Sequence, residues 1–164
     1  MKILKKTIYF LIVFIFLSCS SNDDDTITDN GFKVNGKFYR TDFATSSCCF
    51  RYVLIFSSHE NQDIGQIGRF DLISPTDLPL TPGTYTFENK GIYDHNPVEF
   101  YDTTLENWGL AYSIYGGNGI KSGVVTVHSI INDGNQITKI NLDYKFVWDD
   151  RTVIGHYDGI VNPN

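Results

Sequence analysis

The sequence predicts an all-β protein, a single antiparallel β-barrel or β-sandwich of about eight to nine strands with little helix. Three observations carry this. Apolar and polar residues alternate in short runs rather than at helical spacing. Aromatic and β-branched residues dominate those runs, and Gly, Asn, Asp and Pro punctuate them. No window combines a helical period with helix caps.

The first two strands are expected near Phe32–Val34 and Lys37–Arg40. Asn35-Gly36 between them is a hairpin signal, because both central positions of a type I′ turn need positive φ. Further strands are expected near Phe50–Ser58, Gln66–Ile73, Thr84–Glu88 and Leu110–Tyr115. Gly116-Gly117-Asn118-Gly119 then reads as a turn, since no Lys-Ser/Thr follows it as a phosphate-cradling loop requires. The last three strands, Val124–Ile131, Gln136–Trp148 and Thr152–Val161, form a meander whose register can be argued.

With Asp133-Gly134 as a two-residue turn, Ile131 faces Gln136, Val127 faces Ile140 and Val125 faces Leu142. One face then carries Thr138, Ile140, Leu142, Tyr144, Phe146 and Trp148, and the other Lys139, Asn141, Asp143 and Lys145. That alternation marks one side as core and one as wet. An even-length loop around Asp149-Asp150 puts Val153, Gly155, Tyr157, Gly159 and Val161 on the inner face, small residues opposing large ones. A meander with one apolar face needs a second layer or closure on itself. A calycin-like barrel is the architectural analogy.

The N-terminus carries a different signal. Lys2, Lys5 and Lys6 precede an apolar run from Ile8 to Leu17, and Phe16-Leu17-Ser18-Cys19 ends it. A basic start, a short apolar stretch and a small residue before a cysteine fit a cleaved export leader, and the run is too short to span a bilayer of about 30 Å. The motif resembles the bacterial lipobox in the Leu-Ser-Cys-Ser form common in lipoproteins of the Bacteroidota. Phe16 and Leu17 stand where the strongest lipobox has Leu and a small residue. The resemblance implies lipidation of Cys19, with more than one acyl chain for stable anchoring. Ser20-Ser21-Asn22-Asp23-Asp24-Asp25 resembles the acidic signal that sends such lipoproteins to the outer face of the outer membrane.

The expected organisation is a signal peptide over 1–18, a flexible acidic tether over 19–30 and one all-β domain over 31–164. The turn at Phe32-Lys33-Val34-Asn35-Gly36-Lys37-Phe38 and the strand Gly155-His156-Tyr157-Asp158-Gly159 are similar to small Bacteroidota lipoproteins of uncharacterised function. These are structural motifs and bring no catalytic residue with them. Removing 1–18 takes three lysines and no acid, so 13 basic residues fall to 10 against 19 acidic ones, a formal charge of about −9. That disfavours nucleic acid as a partner, which needs a basic footprint. The membrane is reached through the lipid on Cys19.

The four histidines do not gather in the expected register. His128 falls opposite Lys139 and His156 opposite about Asp143, roughly 16 Å apart at about 3.3 Å per residue and 4.8 Å per strand, too far for one metal. His156 reads instead as a cross-strand partner of Asp143. His59 and His95 lie in loops without a second ligand at zinc spacing. There is no Gly-x-Ser-x-Gly and no His-Glu-x-x-His. No metal or other cofactor is expected.

Cys48-Cys49 have only each other as intramolecular partners once Cys19 is lipidated. Adjacent Cα atoms sit about 3.8 Å apart, below the usual disulfide range of about 4.4–6.8 Å. A strained vicinal disulfide and a reduced pair stay equally open.

The segment Tyr93–Trp108 is the candidate binding region. Tyr93, Phe100, Tyr101 and Trp108 sit among Asp, Asn and Glu, and aromatic surfaces beside hydrogen-bonding groups suit sugars or peptides. The competing reading makes Phe100, Leu105 and Trp108 a cap on the core. Glu99, Asp102 and Glu106 are candidates for a glycosidase pair, which must flank a cleft at roughly 5–9.5 Å, only by proximity in sequence, and a solvated acidic loop is the favoured reading of them. The favoured function is an envelope lipoprotein whose β domain binds a glycan, peptide or partner protein. The alternative is an extracellular hydrolase acting on polysaccharide.

Overall fold

The computed structural model of the protein describes residues 26–48, 51–62, 64–74, 79–88, 90–93, 98–103, 111–113 and 120–164. These residues form eleven strands and no helix: β1 (Gly31–Val34), β2 (Lys37–Arg40), β3 (Phe43–Ser47), β4 (Tyr52–Ser57), β5 (Gln66–Leu72), β6 (Gly83–Thr86), β7 (Val98–Asp102), β8 (Ala111–Ser113), β9 (Ile120–Asp133), β10 (Gln136–Trp148) and β11 (Thr152–Pro163). The strand order is β6-β9-β10-β11-β3-β4-β5-β7-β8, with the β1–β2 hairpin branching from β11. The sheet is curled and open, forming a half-barrel.

Strand β11 holds the two halves together. Along one edge it pairs with β10 from Lys139↔Ile160 to Val147↔Thr152. Along the other edge its first half takes β1, with Phe32↔Gly155, and Val161–Pro163 run parallel to Ala44–Ser46 of β3. The remaining pairings between named strands are antiparallel.

The core lies between the halves and is largely aromatic. Phe56 of β4 sits 5.0 Å from Tyr157 and 5.8 Å from Tyr144, centroid to centroid. Phe70 of β5 meets Tyr144 at 5.1 Å and Phe146 at 5.3 Å, and Phe100 of β7 meets Tyr144 at 5.6 Å. Rings this close fill the interior at the tilted and offset geometries aromatics prefer. The expected small-against-large packing is present. Tyr144 pairs with Gly155 and lies across it, so that a Cβ on Gly155 would stand 2.1 Å from the ring.

The expected inner face of β10 and β11 holds at Ile140, Leu142, Tyr144, Phe146, Trp148, Val153, Gly155, Tyr157 and Val161. The β9–β10 turn differs from expectation. It is Gly134-Asn135, with Gly134 at φ 60° and Asp133 paired to Gln136, so the register slips by two residues. A two-residue slip keeps every side chain on its face. Three irregularities then interrupt the ladder, the one nearest the β10–β11 turn leaving Lys121 extra between Val147↔Ser122 and Trp148↔Ile120. Thr138 is extra between Ile137↔Asn132 and Lys139↔Ile131, so Ile137 takes the inward place expected of Thr138. His128 is extra between Asn141↔Ser129 and Leu142↔Val127.

Two strands were not expected. In β3 (Phe-Ala-Thr-Ser-Ser) only Ala44 and Ser46 are buried, so it carries little apolar signal. In β7 Asp102 occupies an inward position beside Val98 and Phe100, and the Gln66 side-chain amide donates to its carboxylate at 2.8 Å. The end of the expected tether also departs from a free linker. The Asn30 amide donates to the Asp158 carbonyl at 3.1 Å, and the Asp158 N–H donates back to Asn30 Oδ1 at 2.7 Å.

Candidate functional site

Strand β7 redraws the Tyr93–Trp108 segment. Period-2 geometry turns Val98, Phe100 and Asp102 inward and Glu99 and Tyr101 outward. Phe100 is fully buried, 5.1 Å from Phe32 as well as against Tyr144, so it is core and not a ligand platform. Tyr101 is half-buried on the outer side, paired with Ile67. Tyr93 carries the Arg51 guanidinium 4.8 Å above its ring, while Arg51 also bridges to the buried Asp71 at 2.9 Å. Trp108 lies outside the described residues. The four aromatics therefore do not form one described surface.

The carboxylates fare similarly. Glu99 and Asp102 point to opposite faces of β7, so they cannot flank one cleft, and Glu106 lies outside the described residues. Burial pushes the Glu99 carboxyl up, against the attraction of Arg69. Asp102 is held by Gln66. Among the described residues, no three His, Cys, Asp or Glu side chains gather as a metal site. Cys48 is exposed just after β3, and Cys49 and Cys19 lie outside the described residues.

The wet face of β9–β10–β11 holds a cluster that the expected register missed. His128 Nε2 lies 2.6 Å from one oxygen of Asp143 and His156 Nδ1 lies 2.7 Å from the other. The His156 partnership follows the pairing Asp143↔His156. The expected 16 Å separation of the two rings is corrected: His128 is the extra residue of a bulge, and a bulge re-aims its side chain. Burial pushes the Asp143 carboxyl up, but the hydrogen bonds and charge of the two imidazoles outweigh it and hold the group below its ordinary value. No turn residue marks the bulge in the sequence, so the His128 partnership could not be read from it.

A second feature lies at the other end of those strands, where the β1–β2 turn approaches the β10–β11 turn. Lys33, Asn35, Trp148, Asp150, Arg151 and Thr152 line a groove of about 560 Å³. The backbone N–H of Trp148 donates to the Arg151 carbonyl at 2.8 Å, which closes the turn. Arg151 Nε binds Asp150 at 2.9 Å and holds its carboxyl low, and Lys121 bridges to Asp149. The indole Nε1 of Trp148 is buried without a hydrogen-bond partner.

No family model, curated protein or solved structure matches this chain.

Proposed function

We propose that the protein is a lipid-anchored lipoprotein of the outer membrane, displayed at the cell surface, whose β domain acts by recognition of a glycan, peptide or envelope protein. The observation that supports the recognition role is the groove of about 560 Å³ between the β1–β2 and β10–β11 turns, within the size range of small-ligand sites, whereas the core is filled by Phe56, Phe70, Phe100, Tyr144, Phe146 and Tyr157. With the space between the half-sheets filled by the protein's own rings, a ligand is left the outer faces and strand ends. The opposed orientation of Glu99 and Asp102 weighs against the hydrolase alternative. The anchor rests on the lipobox resemblance at Cys19 and on the acidic residues that follow it.

Two measurements test the two halves of this reading. Cys19→Ser should move the protein from the membrane fraction to the soluble one, and continued retention overturns the acyl anchor. The detergent-solubilised lipoprotein should bind a member of a glycan or peptide panel, or co-purify with an envelope protein. Binding to none of these overturns the recognition role.

A further inference from the structure

We infer that the outer face of β9–β10–β11 is seated on the lipid surface at its β9–β10 turn end, with Ile131 and Ile160 against the headgroups, and that the groove at the opposite strand end is thereby held away from the membrane. This rests on the lipid anchor at Cys19 proposed above and gives the anchored domain an orientation.

The chain leading into the domain is fixed before the first strand begins. Asn30 exchanges hydrogen bonds with the backbone of Asp158, and Gly31 opens β1 opposite His156. Ahead of them Ile27 is half-buried, and with Thr26 it lines a cleft over Val124, Thr126, Asp143 and Lys145. Those four residues belong to the outer face of β9 and β10, so the chain crosses that face.

Length then limits orientation. Seven residue steps separate Thr26 from Cys19, and they span at most about 25 Å when fully extended. A domain of roughly 130 residues has a radius of gyration of about 14 Å and measures about 36 Å across as a sphere. The anchor point cannot reach the far side, where β4, β5 and β7 turn their outer faces.

Within that reach one patch suits a lipid surface. Ile160 and Ile131 are 69% and 58% exposed, the most of any large apolar side chain among the described residues. Both pair with Lys139, so the three side chains stand in one row across the sheet. An ammonium between two apolar groups matches headgroup phosphate over the acyl boundary, and Asp158 engages Lys139 only at 3.8 Å. Lys139 is four residues from Asp143, about 13 Å along β10 from where Thr26 and Ile27 cross it. Two isoleucines bind membrane weakly alone, but the anchor makes their contact intramolecular, at an effective concentration on the order of millimolar. The acidic balance of the chain selects zwitterionic over anionic lipid. Val147, in the groove, lies eight residues from Lys139, about 26 Å further along β10.

The test places the ¹⁵N-labelled mature lipoprotein in phosphatidylcholine nanodiscs carrying a nitroxide on the lipid headgroup, and reads paramagnetic broadening of backbone amides. Ile131, Lys139 and Ile160 should lose most of their signal, while Val147 and Thr152 of the groove and Arg69 and Glu99 of the far half-sheet keep theirs. Replacing both Ile131→Ser and Ile160→Ser should abolish that contrast without releasing the protein from the disc. Even broadening over both half-sheets overturns the proposal, as does broadening greatest at Val147 and Thr152 or a profile unchanged in the double variant. A patch left sharp in an anchored protein also overturns it and leaves the two isoleucines to a protein partner. Protein that stays outside the disc fraction removes the anchor itself, whereas anchored protein without a preferred face removes this inference alone.

Discussion

The two half-sheets are built from the same residue types but expose their outer faces differently. In β10, buried Ile140, Leu142, Tyr144, Phe146 and Trp148 alternate with Asn141, Asp143, Lys145 and Val147, of which none is buried. In β5, Ile67 and Asp71 are buried although they point away from the aromatic core. The β4–β5 connection folds back over that side, where the Gln62 amide donates to the Thr45 hydroxyl at 2.6 Å. A strand between core and water writes its orientation into a clean period of two, whereas a strand covered on both sides loses that period. The first half-sheet therefore tolerates charge on its outer face, and the second buries it.

Mutations at matched positions sharpen this contrast. Phe100→Ala removes a ring enclosed on all sides and should cost about 3–5 kcal/mol in chemical denaturation. A loss below about 1 kcal/mol would return Phe100 to the surface, in line with the magnitudes for exposed sites. Arg51→Gln removes the cation that bridges to the fully buried Asp71 carboxylate and should cost about 3 kcal/mol, more than loss of an exposed ion pair on the wet half-sheet. Gly155→Ala forces a methyl into the Tyr144 ring and should cost about 1–3 kcal/mol, read as a lowered midpoint at unchanged slope.

The smallest effect belongs to the His128–Asp143–His156 cluster. Asp143→Asn should cost a few tenths of a kcal/mol at neutral pH, because the carboxylate is half-exposed and screened. Its sign with pH is fixed. A carboxyl held below its unfolded value contributes stability that is complete above about pH 4 and lost as pH falls through the folded value. Unfolding midpoints measured from pH 7 down to 2 should therefore fall less steeply for Asp143→Asn than for the parent. A steeper fall would contradict the assignment.

Legibility in the sequence follows the same physical divide. Where β10 and β11 face water on one side, the inner residues and even the Tyr144–Gly155 opposition are readable, because side-chain parity survives a two-residue slip of the turn. Bulges are another matter. Nothing in Val127-His128-Ser129 announces an extra residue, so the shared carboxylate at Asp143 is visible only in three dimensions. Strand β7 was hidden because Asp102 stands where alternation demands an apolar group, and its acidic neighbours read as loop. The groove at Trp148 was hidden because its lining comes from two turns distant in sequence. What the residues told directly was that Trp148 faces inward, and what they withheld was that its indole finds no partner there.

The parallel pairing of Val161–Pro163 with Ala44–Ser46 has a consequence for how the molecule is made. An early strand waits for one of the latest, and loop-closure entropy makes such a distant union slow. A chain synthesised N-terminus first can form the β1–β2 hairpin and pair β3 with β4 at once. It cannot join those pieces to β10 until β11 has been delivered. Synthesis thus hands over an unzipped polypeptide, and the seam that makes it one body is sewn last.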